Sequence, residues 1–301
     1  MNNPFVSVII PVLNNAQSLQ YCLEALENQT YPKRLYEVVV IDNGSEENMD
    51  ELVQSYIQSK IIYESKPGSY AARNKGLSIA KGQVIAFTDS DCKPMPDWIE
   101  SGVSNLLGFP NCRLVAGRIE ISFKDPLKPT AIELLESIGS LKQKDYVDKD
   151  NYGATANLFT FRKVIDHVGS FNDKLKSAGD IEWGQRAYSL GYKPIYADDT
   201  RVTHRARHSF GQFYKRKIRC VGGLHDLKKE TKKYAYMFLV MDLLRDLLPP
   251  VISIIRISSN DEFKKVKGMI QKCKVISVFI ITRYLCLLES IRLLLGGTSK
   301  R

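Results

Sequence analysis

Residues 84–91 read VIAFTDSD, and this stretch decides the fold class that the sequence predicts. Val84–Thr88 is a run of β-branched and apolar residues typical of a buried strand, and it leads directly into Asp89-Ser90-Asp91. Two carboxylates at one strand end can converge on a hard divalent cation such as Mg²⁺ or Mn²⁺. A polar turn that caps a helix uses the same residue types, so the interpretation depends on the surrounding chain.

The segments around this stretch alternate between strand and helix patterns. Such alternation predicts an α/β fold with a mainly parallel, Rossmann-like sheet that is covered on both faces. In these sheets ligands bind beyond the carboxyl ends of the strands. The predicted strands are Phe5–Val12, Tyr36–Ile41, Ile61–Tyr63, Val84–Thr88, Leu114–Phe123, part of Asn151–Phe161, Ile195–Ala197 and Thr200–Thr203, and the predicted helices are Ser18–Gln29, Glu47–Ser59, Ala71–Ala80, Asp125–Lys149 and Ala178–Leu190.

Polar residues follow three of the predicted strands, namely Asn14-Asn15, Asp42-Asn43-Gly44-Ser45 and Asp89-Ser90-Asp91. Because parallel strands end at one edge of their sheet, these clusters predict a ligand site at that edge. Asp42 can accept hydrogen bonds from a base or ribose, or it can close an Asx turn. Arg73 and Asn74 open a helix and can meet phosphate or base there; a surface ion pair is the alternative for Arg73.

Acidic residues stand at the start of a later predicted helix, where Asp180 and Glu182 follow Gly179. A carboxylate at this position can deprotonate an acceptor hydroxyl, and the helix dipole favours its ionised form. Simple charge compensation of the helix N-terminus is the alternative. His204 follows a short strand and can complete a metal shell as a neutral imidazole, with His208 as the competing ligand and a structural histidine as the alternative.

Five stretches together resemble the family 2 glycosyltransferases, which have the GT-A fold. Each stretch alone is weak evidence for the family, but the order and spacing of all five are specific to it. The resemblance covers roughly residues 5–208. The stretches are Val6–Pro11 (VSVIIP), Val39–Ser45 (VVIDNGS), Ala71–Gly76 (AARNKG), Phe87–Asp91 (FTDSD) and Gly179–Trp183 (GDIEW), the last of which is similar to the acidic ED motif of that family.

The resemblance implies an inverting, metal-dependent transfer of a hexosyl group from a nucleoside-diphosphate sugar, UDP-linked in first place, to a hydroxyl acceptor. It implies that Asp42 binds the base and that Asp91 and His204 bind Mn²⁺ or Mg²⁺. By it Asp89 binds the ribose or the metal, and Asp180 is the catalytic base; the family usually has Glu where this chain has Gly179. The predicted substrate contacts are Pro11, Asn14, Asp42, Arg73, Asn74, Asp89, Asn157, Glu182 and Trp183.

Several other functions remain open at this point. The QxxRW motif of the processive synthases in the family is absent, which favours single addition to a lipid-linked or polysaccharide intermediate. A nucleotidyltransferase needs a Gly-rich basic loop after the first strand, and residues 11–15 contain neither Gly nor Lys. A non-catalytic nucleotide- or lipid-binding module is disfavoured by the joint presence of the acidic residues and His204. A nucleic-acid binder has only charge in its favour.

The basic residues concentrate in the last third of the chain. The net charge is +10, and residues 201–301 hold 22 Lys and Arg against 7 Asp and Glu. Apolar stretches at 234–248, 251–257 and 275–295 are interrupted by charges or by Pro249-Pro250, so helices lying on an anionic membrane surface are favoured. A spanning segment, and helices packed on the domain or on a second subunit in a homo-oligomer, are the alternatives. We expect a catalytic domain at 1–225 and a helical appendage at 226–301.

The cysteines and the N-terminal sequence indicate the cellular compartment of the protein. The six cysteines, at 22, 92, 112, 220, 273 and 286, have no CxxC spacing, which favours reduced thiols. The apolar run at 6–12 is too short for a secretory signal and lacks a basic region before it. We therefore expect a cytoplasmic protein that is peripheral at the inner face of the cell membrane, with a sugar donor and a saccharide or lipid-linked acceptor as its partners and no nucleic acid.

Overall fold

A computed structural model describes residues 3–109, 113–231 and 235–300 of the chain. Cys112 and Tyr234, the first residue of the apolar stretch 234–248, lie outside the described residues. The chain forms two compact units, each assembled from separate segments. The first unit comprises residues 1–120, 141–174 and 179–204, and the second comprises 121–140, 175–178 and 205–301. The predicted boundary at residue 225 is a functional one, between a catalytic domain and an appendage that binds a surface, and it stays a prediction.

Strands and helices alternate through the first unit, and the second unit is mainly helical. The strands are β1 (Val6–Val12), β2 (Tyr36–Asp42), β3 (Ser59–Tyr63), β4 (Val84–Thr88), β5 (Cys92–Pro94), β6 (Leu114–Ser122), β7 (Asn157–Phe161) and β8 (Pro194–Arg205). The helices are α1 (Ala16–Glu27), α2 (Asp50–Gln54), α3 (Ser69–Ile79), α4 (Trp98–Gly108), α5 (Ala131–Gly139), α6 (Gln143–Asp150), α7 (Arg162–Val168), α8 (Gly179–Ser189), α9 (Phe210–Thr231), α10 (Ala235–Leu247), α11 (Val251–Ser258), α12 (Asp261–Lys264) and α13 (Met269–Leu294).

The eight strands form one sheet in the order β3-β2-β1-β4-β7-β6-β8-β5. The neighbours among β1 to β4 pair in parallel, so the prediction of a parallel sheet holds for this half. β7 pairs antiparallel with β4 and β6, and β5 pairs antiparallel with β8. The sheet is therefore mixed, because its second half is not built from the strand–helix–strand units that force parallel pairing.

Both faces of the central strands are buried. In β1, Val8 belongs to one hydrophobic cluster and the next residue, Ile9, belongs to another. Successive side chains of a strand point to opposite faces, so the two clusters lie on opposite sides of the sheet. Trp98 and Phe159 fill the first cluster, and Trp183 is part of the second. The predicted two-sided coverage is confirmed.

Some predicted boundaries differ from the structure. The predicted helix at 47–59 is the short helix α2, and the segment 125–149 forms two helices, α5 and α6. The two predicted strands after residue 194 are one continuous strand, β8. β5, α4 and α7 were not predicted, and β5 is only three residues long and exists through its pairing with β8. Such a strand has no local pattern of its own to recognise.

The second unit has a separate apolar core. Leu135 and Ile138 from α5 pack in one cluster with Phe213 from α9 and Val275 from α13. Next to it, the buried carboxylate of Glu136 pairs with Arg207 and Arg216. Within the described part of the chain, no helix has the length and hydropathy that crossing a membrane requires.

Candidate active site

The end of β2 joins the end of β1 through the Asp42–Ser45 turn. Asp42 is buried, and its Oδ1 accepts a hydrogen bond from the amide of Ser45 at 2.9 Å. The Ser45 hydroxyl in turn accepts from the amide of Asn14 at 2.9 Å, and Asn14 Oδ1 accepts from the amide of Glu46 at 2.8 Å. Asn14 has a φ of +48°, in the left-handed region that Asn tolerates better than most residues. Asn14 and Asp42, both predicted as site residues, are thus held in one turn structure.

A buried arginine faces the carboxylate that follows β4. Arg73, on the first turns of α3, has a side chain that is only 4% exposed, and its guanidinium pairs with Asp89, whose side chain is 33% exposed. The guanidinium also lies 5.7 Å from the centroid of the Tyr70 ring. The pair therefore places one buried positive charge and one accessible negative charge at the carboxyl edge of the sheet.

Asp91 and His204 come together across two strands. Pairing of β5 with β8 sets Cys92 opposite His204, and His204 Nε2 lies 3.3 Å from Asp91 Oδ2. Ligand atoms of Asp91, Cys92 and His204 all lie within 4.8 Å of one another. Burial raises the pKa of the Cys92 thiol well above its usual range, with the charges of Asp91 and Asp89 adding to the effect. A carboxylate oxygen and an imidazole nitrogen suit a hard divalent cation better than a sulfur ligand does, so Asp91 and His204 are the pair suited to Mg²⁺ or Mn²⁺.

Asp180 opens helix α8 and faces Tyr70. The Tyr70 hydroxyl donates a hydrogen bond to Asp180 Oδ1 at 3.3 Å. Burial raises the pKa of Asp180; the positive charge of Arg73 opposes this, and the negative charge of Asp89 adds to it. Because Arg73 and Asp89 both act on Asp180, the carboxylate lies in the same electrostatic environment as the Arg73–Asp89 pair. A carboxylate with a raised pKa that is still partly accessible has the properties of a general base.

The sequence model of the family described as Glycosyl transferase family 2 matches residues 7–169. The chain belongs to glycosyltransferase family 2. Glycosyltransferase AglE of Haloferax volcanii is 40% identical over 221 residues, which are 72% of this chain and 71% of AglE. The Pre-mycofactocin glycosyltransferase of Mycobacterium tuberculosis is 30% identical over 223 residues, which are 70% of this chain and 45% of that protein.

A solved structure shares the fold of this glycosyltransferase. The mannosyltransferase PcManGT from Pyrobaculum calidifontis, in complex with GDP-Man and Mn²⁺, superposes with a TM-score of 0.64 at 16% identity. The match covers 98% of this chain and 88% of that one. The predicted GT-A fold is thereby confirmed, as are the predicted family and the glycosyltransferase activity.

Four of the residues predicted to contact the substrate of this glycosyltransferase have their polar atoms engaged by protein groups. Asn74 exchanges two hydrogen bonds with the backbone of Phe171, both 2.9 Å long. Glu182 forms a two-point ion pair with Arg186 one turn further along α8. Asn157 is fully buried and bonds Trp98 and two carbonyl groups, and Trp183 is 1% exposed and donates to the carbonyl of Gly169. The structure does not bring Asn157 and Trp183 to an accessible surface.

The remaining predicted residues are placed as follows. Pro11 lies in β1 opposite Ile41, one residue before the end of the strand. His208, the competing metal ligand, has its Nδ1 3.5 Å from a carboxylate oxygen of Glu133 in the second unit. His204 and not His208 is therefore the histidine found beside Asp91.

Two residues of the site were missed by sequence reasoning. Asn43 donates to the carbonyls of Glu64 and Lys66 and accepts from the amide of Gly68, so it fixes the loop that leads into α3. Its signal was present, since it stands inside the quoted Asp42–Ser45 turn. Tyr70 contacts Asp180 across 110 residues of sequence, and no local pattern predicts such a contact.

The structure also explains why Gly stands before Asp180. A Cβ added at Gly179 would lie 2.7–2.8 Å from carbon atoms of the Tyr70 ring, too close for any side chain. The Tyr70 ring itself stacks on Phe171, with ring centroids 5.9 Å apart, so it is not free to move aside. Gly179 and Tyr70 thus form a matched pair in the place where the family motif usually has Glu.

Proposed function

We propose that this glycosyltransferase moves a hexosyl group, with inversion, from a nucleoside-diphosphate sugar to a hydroxyl acceptor. The observation that carries the proposal is the grouping of Asp91 with His204 and of Asp89 with Arg73 directly after β4, where the charges of Arg73 and Asp89 also act on Asp180. A cation site, a buried guanidinium and a carboxylate base are the groups that transfer from a diphosphate requires.

The donor lies, in this proposal, along the carboxyl ends of β1, β2 and β4. Asp42 and the Asn14–Ser45 turn receive the nucleoside, and Asp89 receives the ribose beside Arg73. UDP sugars are the donors expected from the sequence, and GDP-Man is the nucleotide sugar in the Pyrobaculum structure. Both bases therefore belong in the test of donor choice.

Asp91 and His204 would hold the divalent cation, Mn²⁺ or Mg²⁺. Their ligand atoms are 3.3 Å apart and offer an oxygen and a nitrogen donor, which suit a hard ion better than the sulfur of the neighbouring Cys92 does. The bound cation supplies charge neutralisation for the leaving diphosphate. Asp89 is engaged by Arg73, which supports a ribose role for it over a metal role.

Asp180 removes the proton from the acceptor hydroxyl. Its raised pKa brings the carboxylate closer to the basicity that proton abstraction needs, and its position in the first turn of α8 stabilises the ionised form. Tyr70 positions the carboxylate through the hydrogen bond to Oδ1. The proposed acceptor is a lipid-linked or polysaccharide intermediate that receives a single sugar, which the absence of the QxxRW motif favours.

A donor screen tests this proposal. Purified protein is incubated with UDP and GDP sugars, with Mn²⁺, Mg²⁺ or excess chelator, and release of nucleoside diphosphate is measured. Release that depends on the cation, and that Asp180→Asn abolishes while nucleotide binding persists, is the expected result. Nucleotide binding without release of diphosphate under any condition would instead assign the chain to a non-catalytic binding role.

A further inference from the structure

Helix α10 exposes large apolar side chains while two of its carboxylates form ion pairs with neighbouring helices. In a helix packed on a soluble protein, apolar side chains face the protein and charged ones face water. In α10 the carboxylate of Asp242 pairs with Lys228 of α9, and Asp246 lies 3.9 Å from Arg283 of α13. The large apolar side chains Met241 and Leu244 are instead more than half exposed.

The exposed apolar residues of α10 share one face. Met237, Met241, Leu244 and Leu248 recur every three or four residues, and Tyr236 and Leu247 flank them, which covers an arc of about 140°. After the Pro249-Pro250 turn, α11 continues the pattern with Val251, Ile252 and Ile255. These nine side chains are between 51% and 75% exposed. We call the nine residues the apolar face.

The orientation of α10 is held by polar contacts on its other side. One terminal nitrogen of Arg283 donates to the carbonyls of Arg245, Asp246 and Leu248, at 3.1–3.3 Å, and so satisfies the C-terminal end of α10. Ile257, at the end of α11, packs against the apolar core of the second unit. The helices are therefore fixed by their inner sides and cannot bury the apolar face by rolling over.

We propose that the apolar face is a membrane-docking surface that inserts into an anionic lipid leaflet, with α10 and α11 lying in the plane of the interface. Amphipathic helices that expose an apolar face within a Lys- and Arg-rich region bind lipid surfaces in this way. Patches of exposed apolar side chains larger than a few residues mark interaction sites on soluble proteins. The inference concerns the second unit and does not depend on the proposed chemistry of the first.

Charge selects a lipid surface over a second copy of the chain as the occupant. The exposed cationic side chains of this part of the second unit include Lys229, Arg256, Lys267 and Lys274, together with Arg245, Lys264 and Lys265, which pair with carboxylates three residues or fewer away. Residues 201–301 hold 22 Lys and Arg against 7 Asp and Glu, so a dimer formed through this part of the chain would bring two basic regions together, which opposes association. An anionic leaflet attracts each of these residues, and its acyl chains accept the apolar face.

Vesicle co-sedimentation of the full-length protein tests the proposal. Vesicles of phosphatidylcholine alone are compared with vesicles that contain about 30% phosphatidylglycerol, at low and high salt. The test variants are Met241→Gln with Leu244→Gln, and Ile252→Gln with Ile255→Gln. The matched control is Ile57→Gln with Leu107→Gln, the same chemical change at exposed apolar residues of the first unit.

We expect binding to rise with phosphatidylglycerol and to fall only partly with salt, since salt screens charge and not apolar insertion. Each face variant should lose about tenfold or more in vesicle affinity, and the control should bind like the wild type. Unchanged thermal melting of the variants shows that the loss is not unfolding.

Three results would overturn the inference. The wild-type protein could remain in the supernatant with both kinds of vesicle, or the face variants could bind as tightly as the control. A wild-type dimer that the face substitutions convert to monomer, with no vesicle binding, would assign the apolar face to a second copy. Because neither donor nor metal is present in the assay, these results are independent of the proposed glycosyl transfer.

Discussion

Helices α8 and α10 have similar lengths and opposite arrangements. In α8 the buried side chains are Trp183 and Ala187, and Gln185 faces solvent. In α10 Asp242 is turned towards α9 while Met241 and Leu244 face outward. The first arrangement uses burial to hold a helix whose N-terminus carries Asp180, the proposed catalytic base. The second arrangement uses ion pairs to hold a helix whose apolar side chains are exposed to solvent.

The difference shows that residues of the same type have different roles in the two units. Asp91 and Asp180 of the first unit are partly exposed, and we propose that both act on the substrates. Asp242 in the second unit is paired within the protein and contributes to structure. Substitutions should therefore separate activity from stability in one unit and lipid binding from stability in the other.

The largest effect is expected for Asp91→Ala. Loss of the carboxylate beside His204 removes several kcal/mol of charge stabilisation, so the transfer rate should fall by about 10³-fold or more. Thermal melting should not change, because the Asp91 side chain is partly exposed and its partner is His204. The matched control is Asp242→Asn in α10, which should retain full turnover. Full activity of Asp91→Ala in excess chelator would refute the role.

Asp180→Asn should follow closely, with turnover reduced by about 10²–10⁴-fold while nucleotide binding persists. The near-isosteric amide keeps the shape of the site but cannot accept a proton. Kinetics at saturating donor, combined with calorimetric titration of the nucleotide, separate the two effects. If donor affinity collapsed and turnover at saturation survived, Asp180 would be a binding residue.

The direction in which Asp180→Asn changes the free energy of unfolding also follows from the pKa of Asp180. Burial raises the pKa of Asp180 in the folded protein above its value in the unfolded chain. Its contribution to stability is therefore present at low pH and is lost as pH rises through the folded-state pKa. Asp180→Asn should leave the free energy of unfolding at neutral pH equal to or above that of the wild type. The acid limb of the wild-type rate profile should lie above the ordinary aspartate range.

Trp183→Ala tests the buried side of α8. The ring contacts Phe171, with centroids 5.3 Å apart, and its Nε1 donates to the carbonyl of Gly169 at 2.8 Å. Removal of this side chain should cost about 3–5 kcal/mol of the free energy of unfolding. Denaturant titration measures the loss, and a value below about 1 kcal/mol would contradict the packing described here.

Gly179→Ala should cost less, about 1–3 kcal/mol, because the new Cβ meets the Tyr70 ring. Adding Tyr70→Leu to this variant removes the ring and should restore part of the stability. Denaturant midpoints of the wild type, both single variants and the double variant form a cycle that isolates the contact. Additive effects would show that Gly179 and Tyr70 are not a matched pair.

The smallest effect is expected for Leu244→Gln on the apolar face. This side chain is 58% exposed, so the free energy of unfolding should change by no more than about 0.5 kcal/mol. The loss of stability in Leu244→Gln is compared with that in Trp183→Ala, because Leu244 points outward from α10 and Trp183 points inward from α8. A loss similar to that of Trp183→Ala would mean that α10 packs by its outer side, and the comparison would fail.

Much of the first unit was predictable from local pattern. The alternation in β1 and β2 predicted strands covered on both faces, and the polar residues at their ends predicted Asn14 and Asp42 as site residues. The structure brings Asn14 and Asp42 into one turn structure. These features depend on periodicity and turn chemistry, which are properties of a few consecutive residues.

Other features depend on contacts between distant segments. Sequence reasoning placed Asn157 and Trp183 at the substrate, and the structure places both in the interior. A polar side chain in a family motif suggests a site residue. A buried Asn can instead donate to the backbone carbonyl of a neighbouring strand, as Asn157 does to Thr200. The sequence alone does not distinguish these two uses.

By itself, therefore, the amino-acid sequence determined the α/β class, the family and the strand ends at which reactive residues stand, because strand and turn preferences act locally. The resemblance implied that His204 joins Asp91, but only the tertiary structure decided between His204 and His208, through the antiparallel register of β5 and β8. The tertiary structure also decided that Tyr70 reaches Asp180 and that α10 turns Asp242 inward. Each of these contacts joins segments whose pairing is set by packing and by buried charge, which no local pattern encodes.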